Sequence, residues 1–126
     1  MTRPATVLIV DDEPDMCWAL SRILNASGIR SVTAASCQEA LALAGKKPFR
    51  LAFVDVKLRD GDGLALVGRI REAVPGLRAI LISGYFYHDD TAIAEALAAG
   101  LVDGFVSKPF QHDEIRAIVR DAHTRP

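Results

Sequence analysis

Val7-Leu8-Ile9-Val10-Asp11-Asp12-Glu13 decides the fold, because four consecutive apolar residues stop abruptly on three acids. A run that is apolar at every position, rich in β-branched side chains and too short for a helix reads as a strand covered on both faces. Outward from this stretch, which begins at Thr6, similar runs recur at Arg30 to Ala34, Leu51 to Val54, Ala79 to Ile82 and Gly104 to Val106. Each gives way to polar residues or glycine. Between them apolar residues fall three or four apart, as in an amphipathic helix: Met16, Leu20, Ile23 and Leu24 in the first, Leu66, Val67, Ile70 and Val74 in the third, Ile115, Ile118 and Val119 in the last. Ser36-Cys37-Gln38-Glu39 opens the second helix as a capping box, and Gly45 closes it. The alternation βαβαβαβαβα predicts an α/β protein: a doubly wound parallel sheet with right-handed crossovers and helices on both faces, in three α/β/α layers.

Composition agrees with one globular domain over residues 1–126, with a linker expected to open after residue 122. Of 126 residues half are hydrophobic, and 15 Lys plus Arg balance 16 Asp plus Glu for a net charge of −1. A chain of this length buries about two thirds of its unfolded surface, so no disulfide or structural metal is required. Disorder and fibrous repeats are excluded. The even charge balance argues against a domain that grips nucleic acid or anionic lipid directly. No apolar run approaches the roughly 20 residues of a membrane span, and Met1-Thr2-Arg3-Pro4 lacks the apolar core of a secretory signal. A cytoplasmic protein is expected. Cys17 and Cys37 lack CxxC spacing and read as reduced, buried thiols.

The fourth helical segment, Asp90 to Ala99, presents only Ile93 and Leu97 among alanines. Alanine favours helix but buries little apolar area, so this element is expected to be weakly held and to be the mobile part of the fold.

In a parallel sheet of this kind, ligands bind beyond the carboxyl ends of the strands. After the first run stand Asp11, Asp12 and Glu13, after the third Asp55, after the fourth Ser83-Gly84, after the fifth Lys108-Pro109. Taken singly each has an ordinary reading as a cap, a turn residue or a solvated charge. Together, carboxylates, a hydroxyl and an ammonium at one end of a sheet are the parts of a Mg²⁺-dependent phosphoryl acceptor. Hard carboxylate oxygens suit Mg²⁺, and a dication with a nearby ammonium removes the mutual repulsion of clustered acids. Asp55, at the end of the central run, is the expected nucleophile, with Asp11 and Asp12 holding the metal. Lys108 and Ser83 would compensate charge on the equatorial oxygens.

Val7 to Glu13, Phe53-Val54-Asp55 with Gly63 eight residues on, Ile82-Ser83-Gly84 and Ser107-Lys108-Pro109-Phe110 together resemble the receiver domain of bacterial two-component response regulators. The resemblance spans nearly the whole chain. It implies a flavodoxin-like (βα)5 fold with strand order 2-1-3-4-5, and phosphoryl transfer from a sensor histidine kinase to Asp55. It implies Asp12 and Asp55 as direct Mg²⁺ ligands, Asp11 acting largely through water, and the Lys57 carbonyl as a further ligand; Mn²⁺ could substitute. Such a domain is a regulatory phosphoacceptor, catalysing only its own phosphorylation and dephosphorylation. Ser83 would turn toward the phosphoryl group with Phe105 following inward, although Phe105 also reads as plain strand core. The Lys108-Pro109 bond is expected to be cis. The face made by the fourth helix, last strand and last helix would control an output domain or partner, or form a homodimer. The segment Met16-Cys17-Trp18-Ala19-Leu20 resembles receivers attached to enhancer-binding transcriptional activators.

Several features depart from the family pattern. Asp55 is followed by Val56 to Gly63 without the usual proline, which predicts a looser loop. About three extra residues lie between Ser83 and Lys108, and Tyr85-Phe86-Tyr87-His88 reads either as a plug beneath the fourth helix or as an exposed patch. Lys57 and Tyr85, each two residues past Asp55 and Ser83, are expected to set the lifetime of the phosphorylated state. Among rivals, an aspartyl-phosphate phosphatase needs a second Asp where Lys57 stands, while a docking receiver without phosphate turnover would not need the complete acidic set. Asp60-Gly61-Asp62-Gly63 mimics a calcium loop, but with Gly63 in the sixth place the first and twelfth fall on Leu58 and Arg69, so it reads as a turn capping the next helix. His88, His112 and His123 are too scattered for a zinc site.

Overall fold

The structure, a computed structural model, describes residues 7–46, 49–83, 91–108 and 110–124. In chain order its elements are β1 (Val7–Val10), α1 (Pro14–Ala26), β2 (Ser31–Ala34), α2 (Cys37–Ala44), β3 (Leu51–Asp55), β4 (Lys57–Leu58), β5 (Gly61–Asp62), α3 (Gly63–Ala73), β6 (Arg78–Ser83), α4 (Thr91–Ala98), β7 (Gly104–Ser107) and α5 (His112–Thr124). Five strands form one parallel sheet in the order β2-β1-β3-β6-β7. This is the expected 2-1-3-4-5 order once the small β4-β5 hairpin is left out of the count.

The apolar runs become strands because both faces of the sheet are covered. Leu8, Val10, Ala52, Val54, Ala79 and Leu81 point to one side, where they meet Ala40 and Ala44 of α2, Leu66, Val67 and Ile70 of α3, and Ile93 and Ala96 of α4. Val7, Ile9, Leu51, Phe53, Ile80, Ile82 and Val106 point to the other and meet Leu20, Ile23 and Leu24 of α1 and Ile115, Val119 and Ala122 of α5. Period-two alternation thus assigns every core residue of the central strands to one of two helical layers. Ser36 caps α2 as the capping box requires, its Oγ accepting from the Glu39 amide at 3.1 Å. Among the described residues, no helix is long and apolar enough to cross a membrane.

Two expectations need correction. The loop after Asp55, expected to be loose, is an antiparallel hairpin in which Lys57 pairs with Asp62 and Leu58 with Gly61. Leu58 is buried beneath it, and the Gly63 amide donates to the Val56 carbonyl at 2.8 Å. Backbone pairing replaces the rigidity a proline would have given. In α4 the buried pair is Ile93 and Ala96, not Ile93 and Leu97, since Leu97 is 41% exposed. A helix turns about 100° per residue, and positions three apart share the buried face here. Both cysteines are free thiols, each partly buried. The aromatic run Tyr85 to His88 lies outside the described residues.

α4 is nevertheless tied down at its carboxyl end. Gly100 takes φ +78° and ends the helix, and Arg71 of α3 donates to the Gly100 and Leu101 carbonyls at 2.7 and 2.5 Å. Asp103, 3.9 Å from the same guanidinium, accepts from the Ala79 amide at 2.9 Å. With so little side-chain burial, the amides of α4 are expected to exchange at least about tenfold faster than those in the buried turns of α3. Equal protection in the two helices, measured by hydrogen exchange, would contradict the weak hold assigned to α4.

Candidate functional site

Strand register levels the carboxyl ends of the sheet. Val10 lies opposite Val54, Asp55 opposite Ile82, and Ser83 opposite Ser107. Alternation then sorts the residues that follow. Asp11, Asp55 and Lys108 each stand two positions beyond a side chain of the α1/α5 layer, namely Ile9, Phe53 and Val106. Ser83 instead continues the row of Ala79 and Leu81 toward α3 and α4.

The first three meet. Lys108 Nζ lies 2.9 Å from Asp11 Oδ2, 2.9 Å from Glu13 Oε1 and 3.2 Å from Asp55 Oδ2. Asp11, 1% exposed, accepts from the Glu13 amide through Oδ1 at 2.9 Å. Its buried Oδ2 faces the Lys108 ammonium. Asp55 Oδ1 accepts from the Lys57 amide at 3.2 Å. Carboxylate oxygens of Asp11, Asp12 and Asp55 all lie within 4.8 Å of one another.

Such crowding has an electrostatic cost that the protein offsets only in part. Burial and then the Asp11 charge push the Asp55 carboxyl up from 3.8 to about 6, against the opposing pull of Lys108. Burial alone would lower the Lys108 ammonium, but the Asp11, Glu13 and Asp55 carboxylates outweigh it and raise its pKa. One ammonium therefore serves several carboxylates. A set of hard oxygens this close together, sharing one ammonium, fits a small divalent cation.

The remaining expected residues fall as follows. Ser83 is buried at the same edge, 2% exposed. Phe105 pairs in register with Leu81, so it occupies the same row as Ser83, partly buried against the α2/α3/α4 core. Lys57 reaches the site through its backbone amide while its side chain is exposed. Tyr85 and Pro109 lie outside the described residues, and with them the expected lifetime role of Tyr85 and the expected cis bond.

Three contacts were not anticipated. Glu13 holds Lys108, although its acidity in the sequence could have suggested a partner. The Cys17 thiol donates to the Asp11 carbonyl at 3.3 Å; burial, with the Asp11 charge second, pushes its pKa up to about 11. Gly63 packs so closely that a Cβ there would stand 2.0 Å from the Asp55 carbonyl oxygen. Only its spacing from Asp55 marked it.

Comparison with known proteins gives concordant results. A family model described as response regulator receiver domain matches residues 7–120. The chain is 38% identical over 115 residues to the response regulator protein PilR of Pseudomonas aeruginosa, an alignment covering 91% of this chain and 25% of PilR. The chain thus spans about a quarter of that relative's length. A CheY-like receiver domain from Methanospirillum hungatei superposes with a TM-score of 0.85 at 27% identity, covering 97% of this chain and 95% of that one. A response regulator from Burkholderia pseudomallei, solved with a phosphorylated aspartic acid, calcium ion and citrate, has a TM-score of 0.78 at 25% identity, covering 97% and 75%.

Two measurements follow from the geometry. Gly63→Ala forces the Asp55 backbone to move and is expected to lower the unfolding free energy by about 2 kcal/mol or more. A urea midpoint equal to wild type would show that the close approach is not real. In chelator-treated protein, the raised Asp55 pKa means that its contribution to stability is full below 3.8 and is lost as pH rises to about 6. Asp55→Asn escapes that loss. Its advantage over wild type in urea unfolding should therefore appear between pH 4 and 6 and level off above, at on the order of 1–3 kcal/mol. An advantage that does not change with pH would refute the electrostatic account.

Proposed function

Because the chain belongs to the response regulator receiver domain family, we propose that Asp55 is the site at which it accepts a phosphoryl group from a sensor histidine kinase. The observation that carries this reading is Lys108 Nζ placed 3.2 Å from Asp55 Oδ2 and 2.9 Å from the buried Oδ2 of Asp11. A carboxylate oxygen of Asp55 attacks phosphorus in line and forms the new O–P bond. The donor's bond to phosphorus breaks, and its electron pair leaves with the donor. Lys108 compensates charge on the transferring oxygens, and the Ser83 hydroxyl reaches the same group after transfer.

Asp11, Asp12, Asp55 and the Lys57 carbonyl are the groups that would hold Mg²⁺, or Mn²⁺ in its place. When bound, the dication supplies positive charge where two already crowded carboxylates must accept a third anionic group. The phosphorylated aspartate and calcium ion of the Burkholderia relative support this assignment by similarity.

The new phosphoryl oxygens favour one of two arrangements of Ser83 and Lys108. Ser83 and Phe105 share a strand face with the weakly buried α4, so the shift reads out on the surface of α4, β7 and α5. That surface would control an output domain, a partner or a second copy of the chain, in a cytoplasmic signalling pathway that ends in transcription. Lys57 and Tyr85 would set how long the acyl phosphate survives.

Incubation with Mg²⁺ and acetyl phosphate, followed by intact mass measurement, tests the assignment. Wild type should gain one phosphoryl group and Asp55→Asn none. Gain of a phosphoryl group by Asp55→Asn, or none by wild type, would overturn it.

A further inference from the structure

The hairpin that carries Lys57 is anchored far from the acceptor. Its tip residue Asp60 reaches across to the amino end of α2, where Oδ1 accepts from the Cys37 amide at 2.8 Å and Oδ2 from the Gln38 amide at 3.2 Å. The next amide, Glu39, is taken by Ser36 Oγ. The first three amides of α2, which have no partner within the helix, are thus divided between a local cap and one brought from 21 residues beyond Glu39. Asp62, two residues on, caps α3 instead by accepting from the Leu64 amide at 3.0 Å. The turn Asp60 to Gly63 therefore caps two helices, and its first acid serves the helix that sequence order would not select.

We propose that Asp60 is a positioning residue for the phosphoacceptor, holding the β4-β5 hairpin against α2 so that the Lys57 backbone keeps its place beside Asp55. The chain of contacts is short. Asp60 fixes the hairpin tip, the Lys57–Asp62 and Leu58–Gly61 pairs transmit that position, and the Lys57 amide ends on Asp55 Oδ1. At the other end of the hairpin, Gly63 lies against the Asp55 carbonyl and leaves no slack for the loop to pivot about the acceptor. Gly61 packs closely against Cys37 Sγ, which a Cβ at this position would approach to 3.0 Å. The carboxylate is suited to the task, because amide donors at a helix amino end favour its charged form. Their hydrogen bonds hold the Asp60 carboxyl below its ordinary value. Displacement of α2 would in this arrangement reach the acceptor without passing through the sheet.

The inference rests on Asp55 being the acceptor, and the test separates the two claims. Asp60→Ala removes the cap that crosses from the hairpin, whereas Ser36→Ala removes a cap from the same helix end without touching the hairpin. In Asp60→Ala the amides of residues 57–62 should exchange faster than in wild type, and the rate of phosphorylation by acetyl phosphate with Mg²⁺ should fall about threefold to tenfold. Ser36→Ala should leave both unchanged while lowering the melting temperature. Unaltered rate and exchange in Asp60→Ala, or an equal fall of rate in both variants, would overturn the positioning role. If wild type takes no phosphate at all, the acceptor assignment fails, and hairpin exchange still decides whether Asp60 holds the loop.

Discussion

One ammonium shared among several carboxylates is the constraint on which the remaining features depend. Lys108 is within ion-pair distance of Asp11, Glu13 and Asp55 at once, and Asp12 adds a further carboxylate within 4.8 Å of Asp11 and Asp55. A cluster with excess negative charge in a partly buried edge is unstable unless positive charge arrives. Burial and the neighbouring Asp11 charge raise the affinity of Asp55 for a proton, and on the proposed function the same imbalance would favour a dication. The parallel sheet supplies the placement: only strands in this register bring groups from residues 11, 55 and 108 to one point.

The sheet also keeps chemistry and response apart. Asp11, Asp55 and Lys108 follow the row of the α1/α5 side, whereas Ser83 and Phe105 lie on the side of α3 and α4. Phosphorus chemistry is expected on one side and its consequence on the other, with Ser83 at the strand end between them. Among the described residues α4 buries Ile93 and Ala96 and is clamped by Arg71 at its carboxyl end, beside the row that holds Ser83 and Phe105.

Much of this was legible in the sequence because it is encoded in local pattern. The five apolar runs are five strands, in the order the family resemblance implied rather than one the pattern gives, and the acids, Ser83 and Lys108 follow them because strand ends are marked by an abrupt change of polarity. The unread part is interaction between segments distant in sequence. Nothing in Asp60-Gly61-Asp62-Gly63 says that its first acid caps a helix beginning at Cys37, nor that pairing of Lys57 with Asp62 would stiffen a loop lacking proline. The inward face of α4 was misassigned between Leu97 and Ala96, because an alanine-rich helix has too little apolar contrast to orient itself. Arg71 gave no signal at all, since its hydrogen-bond acceptors are the Gly100 and Leu101 backbone carbonyls. Spacing alone pointed to Gly63, and the collision with Asp55 that a Cβ would cause supplies the physical reason.

Calorimetric titration of the protein with Mg²⁺ addresses the central claim most directly, because it requires no phosphodonor and no partner. A single site is predicted, weakened at least about tenfold when Asp12 is replaced by Ala. Absence of any saturable binding, or binding that survives Asp12→Ala unchanged, would contradict the view that these carboxylates are assembled to receive a dication.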